Sequence, residues 1–464
     1  MPNRNILLIV ADDLGRNLGC YGEKVVRTPH LDALAASATM FDMAFASQAS
    51  CSGSRSVIYT GLLTHQNGQY GLQHSFHHFM THDHVETLPT LFNAAGYLTG
   101  IIGKVHVGPD AVYPWTVREE SPTRDVQWVS DRAGAFFSSA KASKQPFHLT
   151  VGFMDPHRDS TRSGFANDHY PGAQEYNPDE LEVPGYLTDL PAVRDELASY
   201  FGAISGMDLG VGKNLERLEA EGLAEETMVM FVSDNGPPFL NSKTTLYDAG
   251  VRLPLIVRVP GRRPAVNPTL VSFVDLLPTW LDFAGIRLGQ STRRGRSLLP
   301  LVSSDEVEPG WVEVFGSHTF HELTNYYPTR FVRTERYKYH RNVCWKLDFP
   351  FSADLYASKS WEATRSMGQV MIGKRSLAAY VRRGPEELYD LHEDPLEVVN
   401  LAEKEPELVL EFRRKLEAWQ RDTEDPWLFR DGVSVRSMAQ YIGEDGWKIQ
   451  DRFDFELDQP GEHA

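Results

Sequence analysis

The sequence predicts an α/β fold: one large, mostly parallel sheet sandwiched by helices, followed by a smaller C-terminal antiparallel α+β domain. Three observations point there. The chain has 464 residues, 41% apolar and 11% aromatic, too long for one small module at ~100–200 residues per domain and apolar enough for a sizeable core. Continuous apolar runs of strand length alternate with helical stretches, the pattern of a parallel sheet covered on both faces. The texture then changes near residue 305, where short strand-like pieces replace the alternation.

The elements follow in order. Asn5–Val10 reads as a buried strand that runs into Asp12-Asp13. Leu31–Ser37 and Val85–Ala95 read as helices, and Thr99–Gly103 as the next strand. Phe147–Phe153 is a strand ending in Asp155-Pro-His-Arg, and Arg194–Glu221 a long amphipathic helix. Thr227–Ser233 is a strand ending in Asp234-Asn-Gly, followed by a strand at Leu253–Val259 and a helix at Val271–Ala284. The boundary is set at 310, giving a larger α/β unit 1–310 and a C-terminal unit 311–464. The latter holds strands at Val312–Gly316, Thr329–Thr334, Tyr337–His340 and near Glu387, and a charged helix at Pro406–Thr423. The tail from Asp425 to Ala464 is polar, with aromatics expected to lie on the main body.

Composition excludes some functions. The net charge of −17 argues against a general nucleic-acid binder. Three cysteines make no disulfide framework, and Cys20 and Cys344 read as structural. The early apolar run Ile6–Ala11 is too short for a signal core or a membrane span. The expectation is a soluble protein, cytoplasmic as the sequence stands, or periplasmic if an export signal has been removed.

In open α/β sheets ligands bind beyond the carboxyl ends of the strands, and three strands here finish in polar residues. Asp12, Asp13, Asp234 and Asn235 offer four oxygen ligands from two such ends, a set suited to a hard divalent cation. One Asp-Asp pair alone would more often be a turn or cap; two pairs at strand ends reverse that weighting. Cys51 precedes a helical run with Arg55 four residues on, a positive setting that favours a reactive thiol or a bound anion. Lys104 and His106, at i and i+2 beyond a strand, fall on one side of an extended segment. The histidines 74, 77, 78, 82 and 84 fit no closed tetrahedral metal site.

These motifs together resemble the sulfatase family of the alkaline phosphatase superfamily. The signature is Cys51-Ser-Gly-Ser-Arg55 with Thr60-Gly-Leu, supported by Asp12-Asp13, Gly103-Lys-Val-His106, Asp155-Pro-His157, Asp234-Asn-Gly236 and Glu387-Leu-Tyr-Asp. Further segments, His65-Gln-Asn-Gly68, His77-His-Phe79, Tyr113-Pro, Phe315-Gly-Ser317 and Thr423–Trp427, resemble the heparan N-sulfatase (sulfamidase) branch. One departure stands out: Gly53 occupies the position where the family's maturation signal has Pro or Ala.

The resemblance implies that Cys51 is oxidised to formylglycine by a formylglycine-generating enzyme, and that the hydrate is both nucleophile and metal ligand. It implies one divalent cation, Ca²⁺ first, with Mg²⁺ and Mn²⁺ as alternatives, held by Asp12, Asp13, Asp234 and Asn235. Arg55 would stabilise the hydrate, Lys104 and Lys243 would neutralise sulfate oxygens, His106 would assist the hydrate, and His157 would protonate the leaving group. His77 and His78 are expected to border the substrate pocket, with Arg158 and Glu322 as sugar contacts. The expected substrate is a small sulfated sugar, with no nucleic acid or membrane partner and a homodimer as assembly. Two other readings stay open at this point. A phosphonate or phosphodiester hydrolase of the same superfamily would carry Tyr and Thr in place of Lys104 and His106. A non-catalytic carbohydrate binder, with Cys51 unmodified beside Gly53, would have little need of the acid–base set.

Overall fold

The structure, a computed structural model, describes residues 4–159, 164, 165, 174–288 and 291–428. Its main sheet has eight strands. From one edge they are Val117–Glu120, Leu98–Gly103, Phe147–Gly152, Asn5–Ala11, Thr227–Ser233, Leu255–Arg258, Thr39–Phe41 and Ala265–Asn267. The first five run parallel; the four inner ones are the continuous apolar runs, and the edge strand Val117–Glu120 is polar and is not among the predicted elements. Leu255–Arg258 pairs antiparallel to its neighbours on both sides, so the sheet is mixed at that edge.

The central strand shows why these runs form strands and not helix segments. Leu7, Ile9 and Ala11 pack into one core beneath the helices Pro29–Ala36, Val126–Ser143 and Pro191–Ala220. Ile6, Leu8 and Val10 pack into a second core beneath Cys51–Thr60, Leu88–Ala94 and Leu276–Ala284. Alternate side chains thus feed opposite layers.

Three differences from the sequence reading have physical causes. The 18-residue helix Val126–Ser143 is not among the predicted elements, although Asp125 caps it by accepting from the Gln127 and Trp128 amides. Its Ser- and Gly-bearing sequence weakens the helical signal that Val126, Val129, Ala133, Phe136 and Ala140 carry. The stretch 271–284 divides into a two-residue strand, a 3-10 turn and the helix Leu276–Ala284, with the Ser272 amide donating to Asp275. The strand from Leu98 ends at Gly103 as predicted, but Lys104 and His106 do not continue it as an extended segment, because Gly103 at φ 85° and His106 at φ 59° both take left-handed conformations.

The C-terminal sheet is antiparallel, in the order Glu313–His318, Thr329–Thr334, Tyr337–Asn342, Glu386–Asp390. The helix Pro406–Asp422 lays Val409, Phe412 and Leu416 on Val332, Tyr339 and Leu388. Between the last two strands the chain forms the short helices Ala353–Tyr356, Lys359–Ser366 and Leu377–Val381, none of them predicted. Of the tail predicted from Asp425, the described residues end at Leu428, where Trp427 packs against Tyr70 and Arg330; the rest of the tail lies outside the described residues. Among the described residues no helix is long and apolar enough to cross a membrane.

Four parallel strands finish in step, which sets up the site. Gly103 is opposite Gly152, Gly152 opposite Val10, and Ala11 opposite Ser233. The loops that follow bond to each other: the Asp12 amide donates to Asp155 O at 3.2 Å, Asp234 to Ala11 O at 3.1 Å, and Lys104 to Gly152 O at 2.8 Å. A Cβ on Gly152 would stand 2.3 Å from Lys104 O and 3.1 Å from Arg55 Nη1, so this position needs glycine for the Lys104 loop and the Arg55 guanidinium to approach.

Candidate active site

Asp12, Asp13 and Asp234 are fully buried, and one carboxylate oxygen from each lies within 4.8 Å of the others. Asp13 takes φ 60°, a strained setting for a non-glycine residue, and its amide donates to Asp234 Oδ1 at 3.1 Å. Asn235 Nδ2 donates to Asp13 Oδ1 at 2.6 Å. Asp12 Oδ1 and Asn235 Oδ1 are buried without a hydrogen-bond partner among the described residues. Buried oxygens of that kind are costly unless something positive meets them. An all-oxygen set with two unpartnered oxygens therefore fits a hard divalent cation.

Side chains from three other segments supply part of the compensating charge. Arg55 Nε donates to Asp234 Oδ2 at 2.8 Å, and Nη1 donates to Lys104 O at 3.2 Å. Lys104 Nζ pairs with Asp12 Oδ2. Lys243 Nζ reaches three acceptors: Asp13 Oδ2 at 2.8 Å, Asp354 Oδ2 at 2.7 Å and His157 Nε2 at 3.2 Å. The balance is incomplete. Burial works to raise the Asp12 carboxyl, but Lys104, His157 and Arg55 hold it well below the usual range. Burial and the neighbouring Asp12 push the Asp234 carboxyl up to about 7 despite Arg55. One more positive charge would relieve that strain.

Cys51 is the first residue of the helix Cys51–Thr60, all ten residues of which are buried. Its Sγ lies 3.8 Å from Asp13 Oδ1. Burial and Asp12 push the thiol well up, against Lys104 and Lys243. At the helix N-terminus, desolvation and the carboxylates therefore work against the positive field that the sequence places around Cys51.

The two site histidines are fixed from opposite sides. His157 Nδ1 donates to Arg158 O at 2.7 Å, leaving Nε2 toward Lys243, with Asp13 Oδ2 at 3.6 Å. Arg124 holds this turn by donating to His157 O at 3.0 Å and Arg158 O at 3.1 Å while pairing with Asp155. Burial and Lys243 lower the His157 pKa. His106 Nε2 lies 2.7 Å from His74 Nδ1, and burial and Lys104 hold its pKa well below the ordinary value.

These groups open on a cavity of about 630 Å³, within the ~300–1,000 Å³ usual for small-molecule sites. Cys51, His106, His157 and Lys243 line it. His77 and His78 do not: His77 Nδ1 instead accepts from the Leu323 amide at 3.1 Å, and His78 is exposed. Arg158 lines the wall, but its guanidinium pairs with Glu196 and donates to Pro238 O at 3.0 and 2.7 Å, so it serves the framework. Glu322 also lines the wall, with Oε1 accepting from the Ala353 amide at 3.1 Å. Sequence reasoning missed three wall residues: His74, His321, whose Nδ1 lies 2.8 Å from Ser50 Oγ, and Asp354. The spacing of the histidine run could have pointed to His74; nothing around Asp354 marks it.

The family model Sulfatase matches residues 4–286, and the model N-sulphoglucosamine sulphohydrolase, C-terminal, matches residues 239–349. The chain is 38% identical over 475 aligned residues to the N-sulphoglucosamine sulphohydrolase of Homo sapiens, covering 94% of each. It is 28% identical to Arylsulfatase A of Homo sapiens, covering 86% of this chain and 83% of that one. Among solved structures, a 2-O GAG sulfatase superposes with TM-score 0.67 at 21% identity, covering 92% of this chain and 93% of that one. A structure in complex with its substrate D-glucosamine-2-N,6-O-disulfate superposes with TM-score 0.66 at 18% identity, covering 91% and 98%.

Gly53 has a local cause. A Cβ there would stand 2.6 Å from Gln48 Cγ and 2.9 Å from Gln48 Nε2. Gln48 is fully buried, and its Nε2 donates to Tyr70 O at 3.3 Å and Phe320 O at 3.4 Å, so it cannot swing away freely. Gly53→Ala should therefore destabilise by about 1–3 kcal/mol from overpacking, offset by roughly 0.5–1 kcal/mol of helix propensity. Thermal melts of Gly53→Ala, Gln48→Ala and the double variant check this. The double variant should be more stable than the two single losses add up to, because removing Gln48 vacates the space.

Proposed function

Because the chain belongs to the sulfatase family, we propose that it hydrolyses sulfated sugars, cleaving N-sulfoglucosamine-type sulfamates or sugar sulfate esters with residue 51 as the nucleophile. The observation that carries this reading is the ring of three carboxylates, one amide and three cationic side chains around Cys51 at a cavity of about 630 Å³. The similarity to a sulphoglucosamine sulphohydrolase over nearly the whole chain supports the sugar and the sulfamate. The cavity takes His321, Glu322 and Asp354 from beyond residue 310, so we assign its floor to the unit 1–310 and one wall to the unit 311–464.

A sulfamate or sulfate ester is a stable tetrahedral anion, so the site must neutralise its oxygens, present a nucleophile and protonate the leaving atom. A divalent cation held by Asp12, Asp13, Asp234 and Asn235, Ca²⁺ before Mg²⁺ or Mn²⁺, would supply charge to the sulfate and to the nucleophile. Formylglycine, made from Cys51 by a formylglycine-generating enzyme, would supply a hydrate oxygen in place of the thiol. The chain's own side chains do the rest. Lys104 and Lys243 present ammonium groups to the sulfate oxygens. Arg55 fixes Asp234 and the helix that carries residue 51. His106, held through Nε2 by His74, is placed to move a proton at the residue 51 oxygen. His157, its Nδ1 committed to Arg158 O, keeps Nε2 free of the backbone and carries the transferable proton for the leaving atom there when charged.

Two outcomes test the reading. Mass spectrometry of the Cys51 peptide, from cells with a maturation enzyme, should show the aldehyde or its hydrate; an intact thiol throughout active protein would remove the nucleophile. His157→Ala should cost ~10²–10⁴-fold on a sugar sulfate or sulfamate and far less on an activated aryl sulfate, whose leaving group departs without a proton. Lys104→Ala should harm both classes alike, because it acts on the sulfate they share. Comparing kcat/KM for both substrates in both variants separates the roles; equal losses in His157→Ala would reassign the acid.

A further inference from the structure

We propose that Asp354 is a specificity-determining residue that favours a sulfamate nitrogen over a sulfate-ester oxygen at the leaving position. The inference rests on the sulfuryl-hydrolase reading of this cavity and names the substrate class within it.

Asp354 is held rigidly. Oδ1 accepts from Ser352 Oγ at 2.5 Å and from the Leu355 amide at 2.9 Å. Oδ2 accepts from Lys243 Nζ at 2.7 Å, and the side chain keeps 19% of its surface open on a cavity it lines. A carboxylate oxygen of Asp354 and a ring nitrogen of His157 lie within 4.8 Å of each other. Two atoms at that separation can both be in hydrogen-bond range of a single atom placed between them. Lys243 Nζ bridges the two in this way, at 2.7 Å from Asp354 Oδ2 and 3.2 Å from His157 Nε2, and an atom presented to His157 from the cavity side can come within reach of Asp354 as well. Lys243 ties the two sides together, bonding Asp13 on the cluster side and Asp354 and His157 on the leaving side.

The two candidate leaving atoms differ in what they offer a carboxylate. The nitrogen of R–NH–SO₃⁻ carries one N–H, which Asp354 Oδ2 can accept. The bridging oxygen of R–O–SO₃⁻ carries only lone pairs, which a carboxylate repels. The products differ in the same sense. Sulfamate hydrolysis is R–NH–SO₃⁻ + H₂O → R–NH₃⁺ + SO₄²⁻: the N–S bond breaks, its electron pair stays on nitrogen, and nitrogen takes up two protons. A positive ammonium thus develops beside Asp354, whereas ester cleavage gives a neutral alcohol. A carboxylate turned to the leaving position has no evident use for the ester.

The test compares N-sulfoglucosamine with glucose 2-sulfate, which place nitrogen and oxygen at the same ring position. Asp354→Asn keeps the shape and removes the charge. It should lower kcat/KM for the sulfamate by about 10- to 100-fold relative to the ester, the worth of one charge-assisted hydrogen bond. Calorimetry of the products gives a second readout: wild type should bind glucosamine more tightly than glucose, and Asp354→Asn should lose that preference. Equal losses on both substrates, with the glucosamine preference intact, would mean that Asp354 only positions Lys243 and would overturn the inference. A wild type inactive on both substrates would instead sink the hydrolase reading, leaving the product-binding comparison to decide on Asp354.

Discussion

Three carboxylates buried within 4.8 Å of one another are the constraint to which the rest of this molecule answers. Like charges at that range in a dry interior repel strongly unless cations and hydrogen bonds meet them. The sheet creates the problem, since Asp12-Asp13 and Asp234 follow adjacent parallel strands that end in register. Three separate segments answer it. Arg55 comes from the buried helix, Lys104 from the loop beyond a third strand, and Lys243 from the loop after Asp234. Even so, Asp12 Oδ1 and Asn235 Oδ1 stay unpartnered among the described residues, and Asp234 is pushed up to about 7 by burial and Asp12.

The same constraint organises the space above the cluster. Of the three cations that neutralise the carboxylates, Lys243 lines the cavity, while Arg55 is fully buried on Asp234 and Lys104 is held against Asp12. Lys243 connects the cluster, His157 and the outer wall through its three acceptors. The C-terminal unit completes the wall. The Leu72 amide donates to His321 O at 2.8 Å and Ser317 to Ser47 O at 2.8 Å, which seat that unit against the segments flanking Cys51.

What the sequence made legible follows from how local each signal is. Asp12-Asp13 and Asp234-Asn235 could be read because each is contiguous and sits at the end of an apolar run. Cys51, Arg55, Lys104, His106 and His157 could be named because short motifs carry them. Asp354 could not, since it meets Lys243 across 111 residues of chain and stands in a short helix with no distinguishing pattern. His77 and His78 were expected at the pocket, and the structure brings His74 to the wall instead, because the loop turns with Ser75 and His78 both at positive φ. The helix Val126–Ser143 escaped because its apolar positions are diluted by serines and glycine, although its cap and its spacing are regular. The antiparallel pairing of Leu255–Arg258 is a property of chain routing that an apolar run does not encode.

The central claim is that the buried carboxylate cluster is built to be completed by one divalent cation. Calorimetric titration of chelator-stripped protein with Ca²⁺, repeated with Mg²⁺ and Mn²⁺, tests it most directly when set beside Asp13→Ala with its fold checked by thermal melting. The account predicts one cation bound per chain by the wild type and none by the variant. Failure of the wild type to bind any of the three, or an unchanged stoichiometry in Asp13→Ala, would contradict it.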